Sequence, residues 1–129
     1  MLKTGILNPA INDLLSRVRH TNMLLIADRG FPYWPMIETV DISLVDDVPT
    51  VLQVFAAIQS NFEIGQVYMA QEFLDHNSQS VKEQFQDAFN QIQVIHEPHE
   101  DFKRRVPSAI GLIRTADTIQ FANMILVSA

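Results

Sequence analysis

The stretch RHTNMLLIADRGFP, residues 19–32, decides how the rest of the chain is read. Met23 to Ala27 is an unbroken apolar run. It is too short for a comfortable helix and reads as a strand buried on both faces. Gly30, Pro32 and Pro35 turn the residues that follow into a loop. His20 precedes the run and Asp28 stands where it stops. In an open α/β sheet, ligands bind in crevices beyond the carboxyl ends of strands, and Asp28 occupies such an end.

Upstream, Asn8-Pro9 is a helix start, because asparagine caps free N–H groups and proline suits the first helical position. Ile11, Leu14, Leu15 and Val18 recur at helical spacing, and this helix is expected to end near His20-Thr21-Asn22. Downstream, Thr39 to Val45 reads as a short strand, with Val40, Ile42 and Leu44 alternating against Asp41 and Ser43. Asp47 and Pro49 open a helix to about Ser60, with Leu52, Phe55, Ala56 and Gln59 down one side. Val67 to Ala70 is a strand. Ser80 to Asn90 is a helix supported by Val81, Phe85, Ala88 and Phe89, and Ile92 to Ile95 returns to strand. Pro98 opens a short helix to Arg104 or Arg105, and Ile110 to Ile113 and Phe121 to Val127 are the last strands. Alternating helices and apolar strands predict an α/β fold, a layered sheet flanked by helices. No repeat, charge block or Pro/Gly/Ser linker divides the chain, so residues 1–129 are expected to form a single domain.

Composition narrows the function. Hydrophobic residues make up 47% and charged residues 19%, a globular mixture that excludes a disordered chain. The net charge of −6 offers no basic footprint for nucleic acid or an anionic membrane. Cysteine is absent, which excludes disulfides, thiol catalysis and thiolate zinc sites and fits a reducing compartment. The segment MLKTGILNPAIND is a poor signal peptide, and no apolar stretch approaches the ~20 residues of a membrane helix. A soluble cytoplasmic protein is expected.

Three clusters could carry chemistry, and each has a plain structural reading. Asp28 could cap a turn, and His20 could cap a helix near the negative end of its dipole. In HEPHEDFKRR, residues 96–105, His96 and His99 sit among three acids, but the spacing matches no zinc motif and Pro98 breaks helical geometry. Glu100 and Asp101 are explained by the preference of acids for a first helical turn. In IRTADTIQFANMIL, residues 113–126, Asn123 is the only amide in its apolar strand-like run and could be an outward residue of a half-exposed strand. Phosphate-binding glycine loops and a G-x-S-x-G elbow are absent.

Taken together, these segments resemble the ribose pyranase and fucose mutarotase (RbsD/FucU) family along nearly the whole chain. LKTGILNPAINDLLSRVRHTN is similar to the family's opening segment, helix and histidine, and LLIADRGFP to its strand, aspartate and loop. VPTVLQVFAAI, HEDFK and IRTADTIQFANMILVSA follow in the family's order. The resemblance implies cofactor-independent interconversion of anomers, or of pyranose and furanose forms, of a free monosaccharide. It implies His20 as the acid/base residue, and Asp28, His99, Phe121 and Asn123 as sugar-binding residues. Lys103 and Arg114 match supporting polar positions, and no metal or cofactor is implied. It also implies ring-like homo-oligomers, often decamers, with sites where subunits meet.

The residue types suit that chemistry. Opening a cyclic sugar removes a proton from the anomeric hydroxyl and supplies one to the ring oxygen, and imidazole can do either near neutral pH. Carboxylate and amide side chains hold hydroxyls by hydrogen bonds. Three positions depart from the family pattern: Phe121 stands for a usual tyrosine, Asn22 for a common acid and Arg19 for a usual glycine. Tyr33 and Trp34 could stack on a sugar or seal a subunit interface. The alternative is a noncatalytic sugar-binding or interaction protein on the same scaffold.

Overall fold

The computed structural model describes every residue except Thr4. Along the chain run α1 (Pro9–Arg17), β1 (Met23–Ala27), β2 (Glu38–Asp41), α2 (Val51–Gln59), β3 (Ile64–Ala70), α3 (Gln71–His76), α4 (Gln79–Phe89), β4 (Gln93–Glu97), α5 (His99–Arg105), a 3-10 turn (Val106–Ser108), β5 (Ala109–Arg114) and β6 (Met124–Ser128). The strands form one mixed sheet in the order β2-β5-β1-β6-β3-β4. β6 runs antiparallel to both its neighbours, β1 and β3, while the other pairs are parallel.

The apolar run 23–27 lies inside this sheet and feeds two cores. Leu24 and Ile26 pack with α1, α2 and α4 residues on one face, whereas Leu25 and Ala27 join Phe31, Ile37, Phe102 and Val106 on the other. Strand pleating sends successive side chains to opposite faces, so a strand covered on both sides must be apolar throughout. Burying each large aliphatic side chain contributes about 1.5–3 kcal/mol. The sheet is therefore the middle of three layers, with α5 and the loop after β1 covering the second face.

α1 begins as expected, with the Asn8 Oδ1 accepting the Ile11 N–H at 3.0 Å and Pro9 in the first turn. It packs closely enough on β5 that only glycine fits at Gly111, where an added Cβ would lie 2.6 Å from a methyl of Leu14. Several boundaries differ from the sequence expectation. α1 stops at Arg17, because Val18 turns extended and Thr21 adopts a left-handed φ of 66°. β2 ends at Asp41, where the carboxylate accepts the Ser43 N–H and hydroxyl and bends the chain. α2 starts at Val51, not at Asp47 or Pro49, because Thr50 and Gln53 form a reciprocal capping box. That start sets its buried face to Val51, Val54, Phe55 and Ile58 instead of Leu52, Phe55, Ala56 and Gln59. Helix α3, continuous with β3, has no counterpart in the sequence reading.

Candidate active site

Pairing register brings several of the singled-out residues to one end of the sheet. Asp28 leaves β1 at its carboxyl end, opposite the start of β6. Met69 pairs with Met124 and Ala70 with Glu97, so the carboxyl ends of β3 and β4 lie at that end too. Asn123 and Phe121, which lead into β6, and His99, which follows β4, therefore converge with Asp28.

Asn123 is 4% exposed, and its Oδ1 accepts the Asp28 N–H at 2.7 Å. It is not an outward residue of a strand. β6 begins only at Met124, because Phe121 has a left-handed φ of 56° that no strand accommodates. The Phe121 ring meets His99 edge-on (5.2 Å between centroids, 78°) and lies near-parallel to His76 (5.4 Å, 29°). Asn77 fixes this turn by donating to the Gln120 carbonyl at 2.9 Å and to the Phe73 carbonyl.

Burial pushes the Asp28 carboxyl above its ordinary value. The Gly30 N–H, at 2.9 Å, together with the Asn123 side chain and Phe31 amide, acts in the opposite direction. The nearby charge of Asp117 adds to the rise. The segment after β5 grips the exit of β1: Thr115 donates its N–H and hydroxyl to the Ala27 carbonyl, and the Asp117 carbonyl accepts the Arg29 N–H. Asp117, 1% exposed, uses one carboxylate oxygen on the first N–H of α2 and the other on Ile119.

His99 is the first residue of α5, preceded by Pro98, which has no side chain able to cap. The Glu72 carboxylate takes the cap's place, accepting the His99 N–H at 3.0 and 3.1 Å. The imidazole lies parallel to Phe102, and its Nδ1 is buried without a hydrogen-bond partner.

His20 is not brought to this cluster within one chain. It sits in the turn before β1, where Thr21 donates to the Ser128 carbonyl and Ser128 donates to Asn22. That is the opposite end of the sheet from Asp28, and β1 alone spans about 13 Å at ordinary strand rise. Because α1 ends at Arg17, His20 is exposed in a turn and does not cap the helix. Asn22, in place of an acid, shapes this turn by accepting the Arg19 N–H at 2.8 Å.

Arg114 holds the loop after Asp28, donating to the Phe31 carbonyl and lying 3.6 Å from Asp41. Lys103 pairs with Glu100 at 2.9 Å and, with Trp34, lines an open cleft beside α5. His96 lines a cleft of about 420 Å³ with Phe85, Phe89 and Lys82, to which His99 does not contribute. Burial lowers its tendency to protonate. Among the described residues, no group of three or more His, Cys, Asp or Glu is gathered as metal ligands would be.

Sequence reasoning missed Glu72, His76, Asn77, Thr115 and Asp117. The Thr-x-Asp pattern at 115–117 is a turn signature that could have marked the last two. The first three become visible only when β3 and β4 are known to be neighbours.

Comparison with known proteins follows the same outline. A model of the RbsD / FucU transport protein family matches residues 1–129. A D-ribose pyranase of Geobacillus kaustophilus is 36% identical over 128 residues, covering 99% of this chain and 93% of that protein. The structure of Bacillus subtilis RbsD complexed with D-ribose superposes with a TM-score of 0.91 at 28% identity, covering 100% of this chain and 98% of that one. A fucose mutarotase from Streptococcus pneumoniae in complex with L-fucose shares the fold, with a TM-score of 0.79 at 15% identity over 99% and 98% of the two chains. No helix among the described residues is long and apolar enough to cross a membrane.

Proposed function

Because this chain belongs to the RbsD/FucU family, we propose that it is a monosaccharide mutarotase or pyranase that opens and recloses a free aldose ring without a cofactor. The observation that carries this reading is the cluster at the carboxyl end of β1. There, Asp28, half-buried and fixed by Asn123, shares the end of the sheet with Phe121 and His99, whose rings meet edge-on.

Sugar hydroxyls are donors and acceptors on an otherwise weakly apolar ring, and this cluster offers both kinds of surface. The Asp28 carboxylate accepts from hydroxyls through charge-assisted bonds, His99 contributes an imidazole nitrogen, and Phe121 supplies a face. Ring opening needs one group to take the anomeric proton and another to protonate the ring oxygen. His20 fills the acid/base role in this proposal, contributing about 10²–10⁴-fold. Arg114 supports the site by holding the loop after Asp28.

The position of His20 supports a site completed by a second copy of the chain, hence a ring-like homo-oligomer such as a decamer. Exposed apolar side chains support self-association: Tyr33 and Leu44 are 69% and 76% exposed, and Met36 and Val45 are also outward. The lack of cysteine supports a cytoplasmic setting.

The test is exchange NMR on free aldoses, including ribose and fucose, with and without protein. Faster exchange between anomeric or ring-form signals, lost in His20→Ala, is the expected result. Binding without faster exchange would favour a noncatalytic sugar-binding protein, a reading motivated by phenylalanine in place of tyrosine at Phe121.

A further inference from the structure

The sugar site described above leaves one charged group unassigned: Glu72, in the first turn of α3. Two facts of the fold bring it to His99. β3 and β4 are parallel neighbours with Ala70 opposite Glu97, so both chains leave the sheet side by side. Each turns at once into a helix, placing Glu72 one residue into α3 and His99 at the head of α5.

α5 needs an outside acceptor at that point. The first N–H groups of a helix have no partner within it, and Pro98 offers no side-chain oxygen. The Asp101 and Phe102 N–H groups return to the Pro98 carbonyl, at 2.9 and 3.0 Å. His99 instead donates to both oxygens of Glu72. A carboxylate at a helix N-terminus is favoured by the dipole as well as by the hydrogen bond.

The bond fixes the backbone from which the His99 ring projects. Phe102 lies parallel to the ring on one side and Phe121 meets it edge-on. With Nδ1 buried and unpartnered, Nε2 is the nitrogen that a ligand meets. A shift of the first turn of α5 would turn Nε2 away and part the ring from Phe121. The other end of α3 holds the same wall, since His76 lies against Phe121 and Asn77 ties down its turn.

We propose that Glu72 is a positioning residue for His99: its carboxylate replaces the missing cap of α5 and aims the imidazole at the substrate. The proposal deepens the sugar-isomerase reading and, for its kinetic part, rests on it. Glu72→Ala removes the acceptor, whereas Glu72→Gln keeps an oxygen that can receive the His99 N–H.

The experiment combines histidine-labelled NMR with exchange kinetics on the full-length protein, below the melting temperature of every variant. In Glu72→Ala the His99 ring signals should move from their wild-type positions, while those of His20 and His96 stay. KM for the aldose should rise about tenfold, comparable to the net worth of one ordinary intramolecular hydrogen bond, with a smaller change in kcat. Glu72→Gln should restore most of both. Unmoved His99 signals in Glu72→Ala, or a lower melting temperature with unchanged KM, would overturn the proposal. If Glu72→Ala does not fold, Glu72→Asp, which shortens the reach, must show the same displacement of His99 or the proposal fails. If the wild-type protein accelerates no sugar exchange, the functional reading falls, and the His99 signals alone still decide whether Glu72 positions the ring.

Discussion

The side chain of Asn123 accepts the backbone N–H of Asp28 at 2.7 Å across 95 residues of sequence. This bond joins the exit of β1 to the entry of β6. It keeps a partly buried donor paired at the point where the strand ladder ends, while the Asp28 carboxylate accepts the Gly30 N–H. Asn123 is thus a structural clamp and a wall of the site at once.

Asn123→Ala should therefore lose both functions. Leaving this partly buried N–H unpaired should cost about 1 kcal/mol, at the low end of the range for a buried donor, which denaturant unfolding would register. Sugar exchange should fall in the same variant even where it remains folded. A variant of unchanged stability would show that the N–H finds another partner.

Asp28 makes stability depend on pH in a stated direction. Its folded-state carboxyl is raised by burial, so the folded protein binds more protons than the unfolded chain between the two values. Stability should fall as pH rises from the ordinary carboxylate range through the raised folded value, then level off. Asp28→Asn should remove this slope and be the more stable protein at neutral pH, while losing sugar turnover. Melting curves of both proteins across an acid-to-neutral series would check the sign.

His96 slopes the other way. Burial in the cleft beside α4 lowers its folded value, so acidification below the ordinary histidine range protonates the unfolded chain first and costs stability. His96→Gln should flatten the curve there without altering sugar exchange, as judged by melting and NMR in parallel.

The proposed sharing of a site, with His20 from one copy and Asp28 from another, can be tested by rebuilding it from two inactive variants. Co-expressed His20→Ala and Asp28→Asn subunits, mixed at random in one assembly, should regain about a quarter of wild-type sites. Mixed assemblies with no activity would show that His20 and Asp28 of different copies do not make up one site.

Gly111→Ala tests the fit of α1 on the sheet. The new methyl would fall 2.6 and 2.9 Å from the two end carbons of Leu14, which is fully buried. Overpacking of this kind costs about 1–3 kcal/mol. Leu14→Ala in the same chain should return part of it, measured as a double-mutant cycle.

Much of the fold was legible because its strongest signals were local. The run 23–27 announced a strand covered on both faces, and Asn8-Pro9 announced the start of α1. Both are statements about neighbours in sequence. The errors arose where distant contacts overrode local pattern. Alternation at Val40, Ile42 and Leu44 suggested a strand to Val45, but Asp41 bends the chain first. Phe121 to Asn123 looked like strand because it is apolar, yet a left-handed Phe121 and a side chain committed to Asp28 keep it out of the ladder. α3 escaped notice because Phe73 is its only fully buried residue and no side chain caps its start.

The site divides in the same way. Asp28 and His99 stand out in the sequence as candidates, whereas Glu72 and Asp117 act on partners 27 and 66 positions away in sequence. No periodicity connects such pairs. The displacement of His20 from Asp28 was legible in principle, since a residue before a strand and one after it lie at opposite ends.

The central place of β6 governs how the molecule is made. It is the last strand in chain order, yet it lies between β1 and β3. Until it arrives, the nascent chain holds two unconnected sheet fragments, β2-β5-β1 and β3-β4, each exposing an unpaired inner edge. The segment that closes this gap also delivers Phe121 and Asn123. Sheet closure and ligand competence are therefore one event, late in synthesis, and a chain halted before Met124 offers a chaperone two sticky edges instead of a weakened enzyme.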